Sequence, residues 1–240
     1  MRATIFPAPG VPFTAESWWK EAVGGEPESR TVRPATRQRQ EEGPFENGGR
    51  LSLSINPLGI VQWTLTAEQP KDVPEEIPTI GPVDELAKPF LGLLNRWFRS
   101  PTCLTASRLA FGVTAILPVE GYREGYETIA LYLPAVTIDP TNSTDFQYRI
   151  NRPRPSSTRL PGLQINRLST WNVFRMTVLA GPTSDPASAS VVGERFGCLA
   201  ELDINTAPSF AGPFTSRDTS SVMSELERLA IEILAEGELP

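Results

Sequence analysis

The chain has 240 residues, of which 40% are hydrophobic and 21% charged, with a formal net charge of −6. That length and apolar content suit one large domain or two closely packed small ones, and they exclude wholesale disorder. No apolar run approaches the ~18 residues of a membrane span, and histidine is absent, which removes Ser-His-Asp and Cys-His nucleophile systems and the common zinc and iron sites.

The net charge conceals a segregation. Residues 146–184 carry arginines at 149, 152, 154, 159, 167 and 175 and no acid, whereas residues 185–240 are strongly acidic. Either the two blocks face each other inside the fold, or an arginine-bearing surface meets an acidic partner. The opening MRATIFPAPG reads as no signal peptide. Cys103 and Cys198 then read as buried free thiols of a cytoplasmic protein, with one disulfide as the arithmetic alternative.

Taken in order, Arg2–Phe6 suits an edge strand. Thr14 is a candidate N-cap for a short helix that carries Trp18 and Trp19 and stops at Gly24-Gly25. Two adjacent tryptophans do not fit one narrow seam, so this pair is a candidate core anchor or a binding surface. Residues 26–50 read as an imperfect strand with arginines along one side. Leu51, Leu53 and Ile55 alternate with polar residues, Pro57–Gly59 turns the chain, and Val61, Trp63 and Leu65 return, which is a clear hairpin. Residues 71–79 form a linker.

Val83 to Phe98 has helical spacing with Asp84 and Glu85 at its start, and Pro89 should bend it. Leu104–Leu117 reads as a strand broken near Gly112. Tyr122, Tyr126, Ile129 and Leu133 follow at helical spacing. After a short strand at Phe146–Ile150 and a proline-interrupted segment, Leu160–Leu179 reads as the long central strand, and Val191–Ile204 as its antiparallel return. That return should bring Glu201 and Asp203 to Arg167 or Arg175 as structural ion pairs. Val222 to Leu234 repeats apolar side chains every three and four positions, and Asp218 or Ser220 is the candidate cap of this last helix.

The element order repeats after Ser100, and Ile55-Asn56-Pro57-Leu58 matches Ile165-Asn166-Arg167-Leu168 in an Ile-Asn-x-Leu pattern. The expected fold is therefore α+β, a largely antiparallel sheet covered by helices, built as β-α-β-β-β-α halves at 1–100 and 101–240 packed as one unit. For chemistry, Glu201 and Asp203 lie two apart on one strand and make a candidate carboxylate pair. Arg149, Arg152, Arg154 and Arg159 beside Phe146 and Tyr148 suit a protein interface, or a nucleic acid bound by interleaved charge and aromatics. No metal or other cofactor is expected, and no membrane.

The INRLSTW segment around Asn166-Arg167, the AELDIN strand with Leu202-Asp203-Ile204, and the C-terminal amphipathic helix together resemble an uncharacterised, sporadically distributed bacterial family of about 250 residues. The resemblance covers residues 50–236 and brings no catalytic residue. Its scattered occurrence implies accessory or antiviral-defence cargo. The reading that follows is a non-enzymatic adaptor acting on another protein through Trp18, Trp19 and the 149–159 arginines. A nucleic-acid-binding accessory subunit and a carboxylate-dependent metal hydrolase are the alternatives.

Overall fold

The computed structural model describes residues 1–10, 14–68, 76–180, 190–210 and 212–238, without the side chains of 179 and 180. The first half runs β1 (Arg2–Pro7), α1 (Trp18–Val23), β2 (Ser29–Arg33), β3 (Gln38–Phe45), β4 (Gly49–Ile55), β5 (Val61–Ala67) and α2 (Val83–Phe98). The second runs β6 (Ala106–Val119), α3 (Tyr122–Tyr132), β7 (Gln147–Asn151), β8 (Arg154–Pro155), β9 (Gln164–Ala180), β10 (Ser190–Thr206) and α4 (Ser216–Glu236). The strands form one sheet in the order β2-β3-β4-β5-β1-β6-β10-β9-β7, with β8 paired to the start of β9. All neighbours are antiparallel. The fold is thus α+β, with a large antiparallel sheet flanked by helices.

Each run continues through four strands after its first helix, where three were expected: Pro34–Thr36 turns residues 26–50 into the hairpin β2–β3, and the proline-interrupted segment supplies β8 against β9. β1 is also misjudged as an edge. It lies near the middle of the sheet, between β5 and β6, since its Ala3 and Ile5 alternate with Arg2 and Thr4 and pair on both sides. The shared Ile-Asn-x-Leu letters are not equivalent in space. Asn56 opens the β4–β5 turn, its side chain accepting from the N–H groups of Leu58 and Ile60, whereas Ile165–Leu168 lies within β9.

The helices pack on one face of the sheet, because alternate residues of each strand are apolar on that side only. Ala3, Ile5, Leu51, Leu53, Val61, Trp63, Leu109, Phe111, Leu202 and Ile204 are buried there. α2 contributes Phe90, Leu94 and Trp97 to this core, and α4 contributes Val222, Leu226, Leu229 and Ile233. The helix α2 runs through Pro89, whose missing N–H is the only main-chain donor its interior lacks. α4 starts ahead of both expected caps, with Thr215 as its N-cap. Thr215 and Asp218 form a reciprocal capping box there, so Asp218 serves as the third helical residue.

Trp18 and Trp19 both lie in the core, 0% and 2% exposed, which removes them as a binding surface. The short α1 separates them by a helical step. Trp18 meets Trp97 of α2 at 4.9 Å and donates to the Thr102 carbonyl, while Trp19 stacks on Trp63 of the sheet at 5.9 Å. The N-cap of α1 is Ser17 rather than Thr14, and the Ser17 hydroxyl donates to Glu21. No helix among the described residues is long and apolar enough to cross a membrane.

Candidate functional site

The second face of the sheet carries no helix among the described residues, and its side chains are mostly Thr, Ser, Gln, Asn and charges. Strand register fixes how they line up across the middle. In one row Thr64 (β5), Arg2 (β1), Gly112 (β6), Asp203 (β10) and Leu168 (β9) are successive neighbours. In the next, Thr114 (β6), Glu201 (β10), Thr170 (β9) and Arg149 (β7) follow one another. Acids on the central strand β10 therefore have an arginine on each flank.

Glycine at 112 marks a close approach of Arg2 rather than a break in β6, which is continuous from Ala106 to Val119. The Arg2 guanidinium lies over the bare main chain, where a Cβ at 112 would come 3.1 Å from Nη2 and 3.2 Å from Nε. Next to this point is a cavity of about 900 Å³, lined by Arg2, Thr66, Thr114, Arg149, Glu201 and Asp203 among others. Among the described residues, the side chains of Arg2, Arg149, Glu201 and Asp203 make no hydrogen bond and no ion pair.

The arginines of residues 146–184 divide between the two faces. Arg167 and Arg175 do not meet Glu201 and Asp203. Arg167 pairs with Ile204 and Arg175 with Phe196 in the ladder, so both point to the helix side while the two acids point away. A strand's period of two makes that a one-residue decision. Arg167 instead lies 3.8 Å from Glu232 of α4, and Arg175 is 3.2 Å from Glu194. Arg154 holds Glu232 with both terminal nitrogens, at 3.1 and 3.3 Å, and Arg152 is 3.3 Å from Glu238.

Two of the four candidate interface arginines thus pair within the fold, Arg154 with Glu232 of α4 and Arg152 with Glu238 just past it, which corrects their reading as a surface for a partner. Arg149 and Arg159 remain exposed. They are not adjacent, since only Arg149 belongs to the central cleft. Arg2 is the site residue that the sequence reading missed. The signal was present, because Arg2-Thr4-Phe6 alternates against Ala3-Ile5, but an edge assignment hid it.

The rest of the chain offers little reactive chemistry. Burial, with Glu21 adding, pushes the Cys103 thiol up to about 12, and burial with Glu124 pushes Cys198 to about 11. Both cysteines are free and neither is a thiolate at neutral pH. No group of three or more potential ligands is placed to hold a metal ion among the described residues. Glu225 is 5% exposed, and it accepts from the Ser156 hydroxyl and from the N–H and hydroxyl of Ser157. That clamp fastens the segment before β9 to α4. Comparison with protein-family models, curated proteins and solved structures finds no match.

Proposed function

We propose that the chain is a non-enzymatic adaptor or accessory protein that receives a partner protein on the uncovered face of its sheet, at the central cleft. The observation that carries this is the set of four partnerless charges, Arg2, Arg149, Glu201 and Asp203, around a cavity of about 900 Å³. Charges left without internal partners contribute little to the fold, and they give specificity and register to an interface that supplies the opposite signs. A partner segment bearing both signs satisfies all four. A nucleic acid does not, because Glu201 and Asp203 at the centre of the face repel phosphates. The setting in a prokaryotic defence system rests on the sequence resemblance alone.

The test is affinity capture from the native cells with the wild-type chain and with a Glu201→Arg/Asp203→Arg variant, followed by light scattering of the eluted complex. The expected result is one protein that survives nuclease treatment and is lost with the variant. Nuclease-sensitive capture would transfer the reading to a nucleic-acid-binding subunit. Isolation without partners, with metal-dependent hydrolysis that Asp203→Asn abolishes, would replace it with the carboxylate hydrolase.

A further inference from the structure

We infer that a second copy of this chain pairs edge to edge with the distal part of β9, about a two-fold axis at Thr177, so that the sheet continues from one copy into the next. This goes beyond the docking reading above, because it uses the far end of β9 and not the central cleft. β7 begins at Gln147 opposite Asn172, and β6 ends at Val119 opposite Phe196. β9 beyond Asn172 and β10 ahead of Phe196 therefore leave the sheet together as a two-stranded arm, paired as far as Ala180 and Ser190. A two-stranded ribbon is marginal in water by itself and gains from a third strand.

The β9 edge of this arm is left unprotected. The outermost strands β2 and β7 have 5 residues each. β2 carries Arg30 and Arg33 and runs into Pro34, and β7 carries Arg149 and is soon followed by Pro153. Short length, charge and proline are what keep strand edges from pairing. On the arm, the outer edge of β10 is interrupted by a bulge between Val191 and Gly193. β9 from Val173 to Ala180 has no proline and no bulge, and its one charge, Arg175, is neutralised by Glu194 at 3.2 Å. Among the described residues no strand pairs with that edge. Its main chain is turned to use it. The Arg152 N–H donates to the Arg167 carbonyl at 3.1 Å and the Arg167 N–H to Asn151 Oδ1 at 3.0 Å, so Arg167 faces the β7 side. Alternate residues repeat that direction, which points the N–H and C=O groups of Arg175, Thr177 and Leu179 outward.

The register fits a second copy of the same edge. The copy's own β7 fills its edge up to Asn172, and β9 ends at Ala180. An axis at Thr177 is the longest pairing that clears both limits, with residues 174–180 of each copy antiparallel. An axis at Met176 sets Ala180 against Asn172, where Gln147 already lies, and an axis at Arg175 also opposes two guanidinium groups. At Thr177 those two arginines are about 14 Å apart. On the open face Met176 then meets Val178 of the second copy, twice, and Phe174, whose ring lies over Gly197, extends the apolar row. On the other face Thr177 meets Thr177, a favourable cross-strand pair. The axis stands normal to the sheet, so both copies turn their open faces the same way and present two clefts to one side.

Sedimentation equilibrium on the intact chain is the first test. So short a pairing makes an interface below the ~1,600 Å² of a standard complex, so the dimer should form with a Kd of about 10–100 µM. Thr177→Pro removes an outward donor without touching the β10 ladder and should weaken the dimer by roughly tenfold or more, while Thr177→Ala should not. Thr177→Cys sets two thiols across the axis at a Cα separation of about 5.5 Å, which suits a disulfide, and should give a covalent dimer under mild oxidation. Arg175→Cys, about 14 Å from its counterpart, should not, and the wild-type chain with Cys103 and Cys198 is the blank. A chain that stays monomeric up to about 500 µM, a dimer that Thr177→Pro leaves intact, or equal cross-linking by the two cysteine variants overturns the inference. Where Thr177→Pro fails to fold, the cysteine pair decides. A monomer whose partner capture is unchanged strikes this pairing and leaves the docking reading; a dimer that captures no partner does the reverse.

Discussion

Replacing Glu232 by glutamine separates charges that hold the fold from charges kept for a partner. Glu232, 28% exposed, is met by Arg154 at 3.1 Å, by Arg228 one turn earlier on α4 at 3.0 Å, and by the nearly buried Arg167 at 3.8 Å. The exposed Arg228 pair is worth about 0.4 kcal/mol. The two-pronged Arg154 contact is worth about 1 kcal/mol at this level of exposure. Arg167, 9% exposed, would lose its counter-charge, at a cost of about 1–2 kcal/mol. Glu232→Gln should therefore destabilise the chain by about 2–3 kcal/mol, which lowers a urea midpoint by about 0.7–1 M for an m-value of ~3 kcal/mol/M. The double variant Glu201→Gln/Asp203→Asn should stay within about 0.5 kcal/mol of wild type. Circular dichroism across a urea titration, with m-values unchanged, measures both. A Glu232→Gln change below ~0.5 kcal/mol, or an equal loss in the double variant, would refute the division of charges between the two faces.

The Glu225 clamp carries a pH signature. Burial pushes its carboxyl up, but the hydrogen bonds from Ser156 and Ser157 outweigh it and hold the group below the usual carboxylate value. A depressed folded value stabilises the chain above the unfolded pKa of about 4.3, and that stabilisation is lost as pH falls through the folded value. The penalty of Glu225→Gln in urea unfolding should thus shrink between pH 7 and about pH 3; an undiminished penalty counts against the clamp. Two helical glycines should respond with opposite signs in thermal melts. Gly125→Ala places a Cβ 2.7 Å from Val173 Cγ1 and should cost about 1–3 kcal/mol. Gly92→Ala meets nothing within 4 Å and should gain up to about 1 kcal/mol. Alkylation of Cys198 at pH 8 should run about 100-fold slower in the native chain than in urea, because its thiol sits near 11; equal rates would show the thiol to be open to solvent.

Wherever a local period is long enough, the sequence alone determined the element. Val222–Leu234 repeats apolar residues at three and four, and Leu51–Leu65 alternates around a Pro-Gly turn, so α4 and the β4–β5 hairpin are legible without contacts. The α+β class follows from such elements. The lateral order of strands and the direction of each charge belong to tertiary structure. Nothing in residues 2–7 tells a central strand from an edge, because two-sided pairing is made with main-chain groups that every sequence carries. The acidic and basic blocks of residues 146–240 were legible as blocks, and they do meet, Arg154 at Glu232 of α4, Arg152 at Glu238 just past it and Arg175 at Glu194 of β10, but not at the expected Glu201 and Asp203. Register decides that. A shift of one residue would carry Arg167 to the open face, and only the packed ladder holds it against Ile204 instead of beside Asp203. The same geometry leaves Arg2, Arg149, Glu201 and Asp203 together around one cleft, four charges spread over 201 sequence positions from Arg2 to Asp203 that become neighbours only when ten strands close into one sheet.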